Sequence, residues 1–510
     1  MSRYAAIDIG SNSVRMLAAE VDSKGAMQTL ASDRQVTRLG DTVFRDGKIS
    51  NGALDQLCAV LARMREAIGK LDIAAMRAVA TSAVRDTSNQ AQFLERASFA
   101  IGAPIEVISG LEEARLIHFG VTARWPHPHH RVLIIDVGGG SAEIILSEHG
   151  VRKEAFSKPL GAVRLYEVFL KNDPPEPVEL YRMEQYIQEK IAPCLAKIGL
   201  RKFDRVIGTS ATAAALVSAV HRIPSMRRDE ADRRKATAQQ VRHLYAGLCK
   251  RNLAGRRKLP GIGPRRAEII IPGAAVFVKA MEAFHLPAVH YTDAGVKDGI
   301  VADLAARGVG RERALLDRDQ RRVVEQMARK YGVEVPHARH VALLAHRLFE
   351  TLQPIHKLPP ECGRLLQAAA YLHDTGHFIS DSAHHKHSAY IVANSGMPGF
   401  TDVERRLIGM LCRFHRKSMP SMRHETFHSM PPEQRHRTLV LLPLLRLADS
   451  LDRSHSQHID HLDCDVSSNS VELQVRSKGG ADLDLWAAER VAEIFRQIYG
   501  KTLQLVNIRS

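Results

Sequence analysis

Two stretches far apart in the chain place an aspartate just before a loop of glycine, serine and asparagine. Asp8 and Ile9 lead into Gly10, Ser11, Asn12 and Ser13, and Asp136 and Val137 lead into Gly138, Gly139, Gly140 and Ser141. Such loops can turn consecutive backbone N–H groups toward an anion, and glycine lets the backbone approach phosphate oxygens closely. The hydroxyl and amide side chains add neutral donors. A bare aspartate beside each loop would repel phosphate, so a hard cation or a bound water is expected between them, and magnesium prefers oxygen ligands. The plainer alternative is two hairpin turns, which use the same residue types, although a turn alone needs no aspartate before both copies. Glu143 stands just past the second loop, where it and Asp136 could reach one cavity. Glu112 and Glu113 follow Ser109 and Gly110 at a predicted helix start. A carboxylate there is either a first-turn residue favoured by the helix dipole or a general base for an attacking water.

These residues need elements to position them. Short strands are predicted at Ala5–Ile9 and Val14–Val21 around the first loop, and at Val132–Ile135 and Glu143–Leu146 around the second. Helical periodicity runs over Leu54–Leu71 and Glu112–Val121, with further strands at Val79–Ala80 and Ile105–Ile108. The repeated strand–loop–strand unit suggests two similar lobes facing each other across a cleft. Strands and helices alternate to about Leu304, as in an α/β fold. Asp173–Pro177 reads as a connection and Met226–Lys235 as a solvated charged run. From about Leu315 helical patterns rich in histidine take over, and from His461 alternating segments suggest a small α/β tail. The expected domains are 1–124, 125–310, 311–460 and 461–510.

Four motifs in order, Asp8–Ser13, Ala80–Asp86, Ile108–Arg115 and Ile135–Glu143, resemble the exopolyphosphatases and guanosine pentaphosphate phosphatases of the Ppx/GppA family, over about residues 1–305. The resemblance implies two actin-like, ribonuclease-H-like lobes. It implies Glu113 as catalytic base, with Asp136, Glu143 and Asp8 helping to hold magnesium and water. It implies Arg85 as a phosphate contact beside Ser11, Asn12, Ser13 and Gly138–Ser141. Gly208–Thr212 looks like the family's further glycine turn, which would bring Gly208 and Ser210 to the phosphates; an ordinary strand-to-helix turn would look the same. The family resemblance also implies a homodimer. The substrate it implies is inorganic polyphosphate or guanosine pentaphosphate, losing its terminal phosphate to water. The long C-terminal half favours polyphosphate, because extra basic surface suits a long chain.

That half carries the other set of chemistry-bearing residues. Tyr371-Leu372-His373-Asp374 is followed by His377, His384, His385 and His387; His337 lies upstream, His415 downstream, and Asp449 ends an apolar helix. Adjacent His and Asp can both ligate one metal if other helices deliver the remaining ligands. The set resembles the HD metal-phosphohydrolase superfamily, which implies His337, His373, Asp374 and Asp449 as a four-ligand core and His387 and His415 as the extra histidines of two-metal members. Long exopolyphosphatases often carry an HD-like domain whose metal residues are degraded, leaving a binding and dimerisation module; this set is intact, so a second divalent metal and such a module stand as alternatives. Alternatively, Lys386, His387, Arg413, Arg416 and Lys417 line a groove that conducts a polyphosphate chain.

The bulk properties narrow the classes. Lys and Arg number 72 against 56 Asp and Glu, a net charge of +16, which favours polyanionic partners without separating nucleic acid from polyphosphate. Leu259–Ala267 resembles a helix-hairpin-helix, but Ile269–Gly273 interrupts it almost at once, so specific nucleic-acid binding is not expected. No Walker loop is present, which argues against a P-loop NTPase, and an actin-like kinase would need an adenine pocket that the sequence does not declare. The six cysteines form no close pair, which fits a reducing cytoplasm. No stretch is apolar for long enough to span a bilayer, and the first residues do not read as a secretory signal. At 510 residues, three or four domains are expected.

Overall fold

The computed structural model describes residues 2–23, 25–307, 315–477 and 479–509. The chain divides into two compact units, Met1–Val309 and Gly310–Ser510.

The first unit holds two sheets. Strands β1 (Ser2–Ile9), β2 (Ser13–Val21), β3 (Met27–Val36), β4 (Ala75–Ala80) and β5 (Ile105–Val107) lie in the order β3-β2-β1-β4-β5. Strands β6 (Arg131–Val137), β7 (Ala142–Glu148), β8 (Val151–Lys158), β9 (Arg205–Thr209), β10 (Lys235–Thr237) and β11 (Ala288–Tyr291) lie in the order β10-β11-β9-β6-β7-β8. Each sheet opens with an antiparallel meander, and the first strand of each meander also pairs with a parallel strand, β4 in one sheet and β9 in the other. The two repeated loops are the first turns of these meanders. Gly10 N donates to Ser13 O, and Gly138 N to Ser141 O, each at 3.0 Å. The third strands, β3 and β8, are missing from the sequence reading because their residues are mostly half-buried or exposed and show little apolar alternation.

Strand parity decides where the carboxylates point. Side chains alternate across a strand. In β1, Ala5, Ile7 and Ile9 enter one core while Tyr4 and Ala6 enter another. In β6, Leu133, Ile135 and Val137 face one way and Val132 and Ile134 face the same core as Tyr4 and Ala6. The two sheets therefore back onto a shared apolar layer. Asp8 has the parity of Ala6, and Asp136 that of Ile134, so both aspartates belong to that layer's side. Register pairs Asp8 with Arg15 and Asp136 with Glu143, which adds two more side chains to it.

Helices complete the layer: α1 (Ser82–Asp86), α2 (Gly110–Arg124), α3 (Ser210–Val220) and α4 (Val296–Arg307). Helices α2 and α4 cross at backbone contact. A Cβ on Gly120 would collide with the Gly295 carbonyl, and one on Gly299 with the Leu116 carbonyl, so glycine is needed at both positions. A buried ion network ties the same elements together. Arg77 bonds Glu106 at 2.9 Å, Glu112 at 3.3 Å and Asp303 at 3.0 Å, while Arg115 bonds Glu112 at 2.8 Å and Asp303 at 2.9 Å. Leu259–Ala267 is a run of turns between the five-residue helix Leu253–Arg257 and the helix Ile270–Ala283, so no helix-hairpin-helix forms.

The second unit packs helices α5 (Val335–Thr351), α6 (Glu361–Leu372), α7 (His384–Asn394), α8 (Asp402–Phe414) and α9 (Pro432–Ser450) with a sheet of β12 (Ile459–Val466), β13 (Ser470–Ser477) and β14 (Thr502–Arg509). Helices and sheet share one core: Leu348, Leu366, Leu411 and Leu445 cluster with Ile459, Leu473 and Val475. Among the described residues, no helix is long and apolar enough to cross a membrane.

Candidate active site

The cleft of the first unit is lined by both loops and by the carboxylates that parity directs there. Asp8, Gly10–Ser13, Arg15, Thr81, Ser82, Glu113, Asp136, Gly138–Ser141, Ser210 and Arg266 all border it. The loops touch: a Cβ on Gly139 would sit 3.0 Å from the Ser11 Cβ, and one on Gly140 would collide with the Ser82 hydroxyl. Glycine at these two positions thus sets how closely the lobes approach. Ser11 Oγ and Ser82 Oγ share a hydrogen bond of 2.8 Å, and Ala83 N donates to Ser11 Oγ at 3.2 Å, so the Ser11 hydroxyl braces the loop from within. Ser210 takes a left-handed φ of 69°, held by its hydroxyl donating to Val137 O at 2.8 Å. A non-glycine residue in that region stores strain, a common mark of functional turns.

The adjacent glutamates separate in role. Ser109 caps α2 by accepting from Glu112 N at 3.2 Å. One step of helix rotation then sends Glu112 into the buried arginine network and Glu113 toward the cleft. Arg85 Nη1 donates to Glu113 at 3.0 Å and to Ile108 O at 2.6 Å, which fixes the carboxylate. Ser157 Oγ donates to Glu143 at 2.7 Å.

Burial pushes the Asp8 carboxyl up to about 6, partly offset by Arg15 and reinforced by Glu113. Burial likewise pushes Asp136 up to about 7, again against Arg15 and with Glu113 and Asp8 adding to it. Glu143 lies well above the usual carboxylate range through burial and then through repulsion from Glu113 and Asp136. Burial also raises Glu113, opposed by Arg85. Oxygen-only donors, buried together and each holding its proton unusually tightly, suit a hard divalent cation that would replace those protons. Asp8, Asp136 and Glu143 are buried and offer only oxygen, the donor type that a hard divalent cation takes.

Of the expected residues, Asp8, Ser11, Asn12, Ser13, Glu113, Asp136, Gly138–Ser141 and Ser210 border the cleft, whereas Arg85, Glu143 and Gly208 do not. Gly208 lies inside β9 with the parity of Val206, and a Cβ there would meet Val289 at 2.9 Å and Phe277 at 3.1 Å. It faces the apolar core behind the sheet and makes no part of the cleft lining. Arg85, expected on a phosphate, is placed on Glu113. Two residues were missed. Arg15 could have been found by pairing the first hairpin, since the register that opposes Asp136 to Glu143 opposes Asp8 to Arg15. Arg266 carries no local signal, because the turns that deliver it read as a different motif.

A second basin adjoins the cleft through Asn12 and Arg266 and is lined by Arg34, Arg228, Arg265 and Arg266 with Ser225 and Met226. Burial lowers Arg34 to about 10, with Arg15 and Arg228 adding repulsion. Burial, then Arg34 and Arg228, holds Arg266 well below its ordinary range. Arg228 Nε and Arg266 Nη1 are buried without a hydrogen-bond partner. Asp293 and Asp136 offset this crowding only in part.

Comparison with known proteins places the arrangement. The sequence profile of the Ppx/GppA phosphatase family matches residues 17–307, more than half of the chain. The chain belongs to the Ppx/GppA phosphatase family. A further profile, Ppx/GppA phosphatase domain III, matches residues 320–489. Among solved structures the chain is similar to the Aquifex aeolicus PPX-GPPA enzyme, with 27% identity and a TM-score of 0.52, over 59% of this chain and 99% of that one. It is similar to an exopolyphosphatase-like protein at 27% identity and a TM-score of 0.56, over 59% of this chain and 97% of that one. In fold it also matches an exopolyphosphatase from Cytophaga hutchinsonii, at 24% identity and a TM-score of 0.54, over 59% of this chain and 96% of that one.

In this Ppx/GppA chain five histidines of the second unit, His337, His373, His377, His384 and His415, gather around Asp374 and Asp449. His337 and His373 Nε2 lie 3.8 and 3.2 Å from Asp449 Oδ1. Asp374 Oδ2 lies 3.6 Å from His373 Nε2, and its Oδ1 lies 3.4, 3.7 and 3.8 Å from Nε2 of His384, His377 and His415. Burial disfavours a charged His373, but Asp374 and Asp449 outweigh it and hold the imidazolium up at about 9. His387 does not join the cluster. The first turn of α7 packs against the turn at Thr375–Phe378, where a Cβ on Gly376 would collide with the His384 carbonyl. His384 therefore meets Asp374, while His387, almost a full turn further along, is half-buried outside it.

Proposed function

We propose that the cleft of the first unit hydrolyses the terminal phosphoanhydride of inorganic polyphosphate. The observation that carries the reading is Glu113, buried between two phosphate-cradle loops, with its carboxylate held by Arg85 and an arginine basin next door. Phosphoryl transfer asks a protein mainly for alignment and charge neutralisation, which loops, cations and one base supply. The Gly10–Ser13 and Gly138–Ser141 loops hold the terminal phosphate through backbone N–H groups. Glu113 takes a proton from a water as the water oxygen bonds to the terminal phosphorus. The bridging P–O bond breaks, and the shortened chain leaves with the bridging oxygen. Burial raises the proton affinity of Glu113 against the pull of Arg85, which favours its taking a proton from water. Asp8, Asp136 and Glu143 would hold magnesium, which when bound neutralises phosphate charge.

The basin favours polyphosphate over guanosine pentaphosphate. A chain leaving the cleft past Asn12 and Arg266 meets Arg34, Arg228 and Arg265, a row of guanidinium groups suited to successive phosphates. Its lining, among the described residues, contains no aromatic ring on which a guanine would stack. Rates of phosphate release from long polyphosphate and from guanosine pentaphosphate test the choice. A higher kcat/KM on polyphosphate is expected, and preference for the nucleotide would reverse the assignment. Glu113→Gln is expected to lower kcat on either substrate by about 10²–10⁴-fold; unchanged phosphate release would remove the mechanism.

A further inference from the structure

The first turn of the helix Ala162–Phe169 is docked on the backbone of the second phosphate loop. Ala162 N donates to Gly138 O at 3.0 Å, and Val163 N and Arg164 N donate to Gly139 O at 2.8 and 3.1 Å. Arg164 Nε donates to Gly140 O at 2.7 Å. Successive loop carbonyls are thus turned to one side and held there. The N–H groups of Gly139, Gly140 and Ser141 share planar trans peptide units with these carbonyls, so they point the opposite way. All three residues border the cleft. The unpaired donors of a helix start therefore aim the phosphate-facing side of the loop. Gly161 lets the helix come this close, since a Cβ there would collide with Gly139 O and Gly140 N.

Arg164 does more than the amides beside it, because its guanidinium reaches the opposite lobe. Its Nη2 donates to Asp86, the last residue of α1, and the guanidinium lies over the Phe44 ring at 4.1 Å. Helix α1 also carries Ser82, which meets the Ser11 hydroxyl, and Arg85, which holds Glu113 at 3.0 Å. Phe44 belongs to the helix Leu39–Asp46, whose Gly40 N donates to Ser11 O at 2.7 Å. One side chain therefore joins the second loop to the helix that fixes the general base and to the helix that braces the first loop. Its side chain is 22% exposed and does not border the cleft.

The geometry points to Arg164 as a positioning residue for the hydrolysis: it sets the amides of Gly139, Gly140 and Ser141 in register with Glu113 across the cleft. This inference rests on the cleft reading given under Proposed function. A guanidinium can donate through Nε to a carbonyl, donate through Nη2 to a carboxylate and lie flat on a ring at once, whereas a lysine ammonium cannot fill all three roles. Phosphoryl transfer depends on alignment, and a displacement of about 1 Å away from the chemistry can cost 10²-fold in rate. Without Arg164 the Gly140 carbonyl loses its donor and the tie to α1 is cut. The amides of Ala162 and Val163 still hold the Gly138 and Gly139 carbonyls, so the loop stays formed but is free to drift against Glu113. The grip on a long chain by Arg34, Arg228 and Arg265 is untouched. The loss therefore falls on kcat, with KM for long polyphosphate little changed.

The test compares full-length wild type with Arg164→Ala, Arg164→Lys, Asp86→Asn and the double variant Arg164→Ala/Asp86→Asn. Steady-state rates on long polyphosphate are measured beside calorimetric binding of orthophosphate, which needs no turnover. Arg164→Ala is expected to lower kcat by about 10–100-fold and to leave KM within roughly threefold of wild type. Arg164→Lys, which keeps the charge facing Asp86, should fall between the two and melt near the wild-type temperature, which shows that the fold survives. Asp86→Asn should also lower kcat, and the double variant should be no slower than Arg164→Ala, as for groups that act through one contact. Orthophosphate has only the cleft to hold it, so its affinity should drop roughly tenfold in Arg164→Ala as the loop loses its preorganisation. An unchanged kcat in Arg164→Ala, or a raised KM with kcat intact, would overturn the inference. A wild type that binds orthophosphate but releases none from polyphosphate would instead overturn the cleft reading. Orthophosphate binding then decides the role of Arg164 by itself, and equal affinity in wild type and Arg164→Ala would sink it.

Discussion

The two units present contrasting ways of assembling a cluster of charge. In the first, Asp8, Asp136 and Glu143 offer oxygen alone, and burial raises the proton affinity of each. In the second, buried histidines outnumber the carboxylates, and their outer nitrogens are tied to Ala370, Cys412 and Asp452. Strand register builds the first cluster: each carboxylate sits one residue in from the strand end that meets a meander turn. Helix ends and a short turn build the second. Carboxylates on strands offer hard oxygen donors beside backbone N–H groups, while imidazoles locked by second partners offer softer ones.

The largest effect that separates them is expected from Glu113→Gln, a kcat loss on polyphosphate of about 10²–10⁴-fold; the same loss on His384→Gln would erase the separation. The neighbour of Glu113 gives the next largest effect, of a different kind. Glu112 lies in the buried network with Arg77 and Arg115, so Glu112→Gln is expected to destabilise the first unit by about 3–5 kcal/mol, as breaking a buried pair does. Denaturant unfolding measures it. The pair of variants separates chemistry at residue 113 from architecture at 112.

Much of the cleft was legible because its signals are local. Asp8 with Gly10–Ser13 and Asp136 with Gly138–Ser141 announce a turn between strands, and strand parity then follows from the apolar residues beside them. Gly208 misled because a glycine at the end of a strand has the same sequence appearance whether it faces ligand or core; only the packing of Phe277 and Val289 decides. His384 was passed over for His387 because the phase of α7 is set by its docking on Gly376, a tertiary contact. The basin was invisible for a similar reason. Arg34, Arg228 and Arg266 are distant in sequence and meet only once β3, the Ser225–Ala231 turn and the Gly261–Gly263 turns fold together.

The cleft's acid–base behaviour gives a middle-sized effect with a definite sign. Asp8 and Asp136 hold protons in the folded state up to about pH 6 and 7, above their ordinary 3.8. The stability they contribute is therefore fully present below about pH 4 and is lost as pH rises through 6 and 7. Magnesium that replaces those protons should stabilise little at pH 5 and more at pH 8, by roughly 3–8 °C in Tm at saturating ion. Thermal melts with magnesium and with chelator at both values measure the difference. A stabilisation independent of pH would break the contrast between a proton-holding oxygen cluster and the histidine cluster.

The smallest effect sharpens the comparison most, because it asks whether the first centre is built for a chain. Arg228 and Arg34 line the basin and do not border the cleft, so neither touches a terminal phosphate. Removing one guanidinium takes away a charge-assisted contact to a phosphate further along. Arg228→Ala is thus expected to raise KM for long polyphosphate by roughly threefold to tenfold, equivalent to about 0.7–1.4 kcal/mol, with kcat nearly unchanged. Tripolyphosphate, too short to fill the basin, should show little change in either constant. The repulsion among Arg34, Arg228 and Arg266 adds a second expectation. Deleting one arginine should relieve it and leave the protein without polyphosphate slightly more stable, even as it binds the chain less well. A variant that loses stability and affinity together would mean that the arginines hold the lobes in place, and the path of the chain would then have to be sought elsewhere on the first unit.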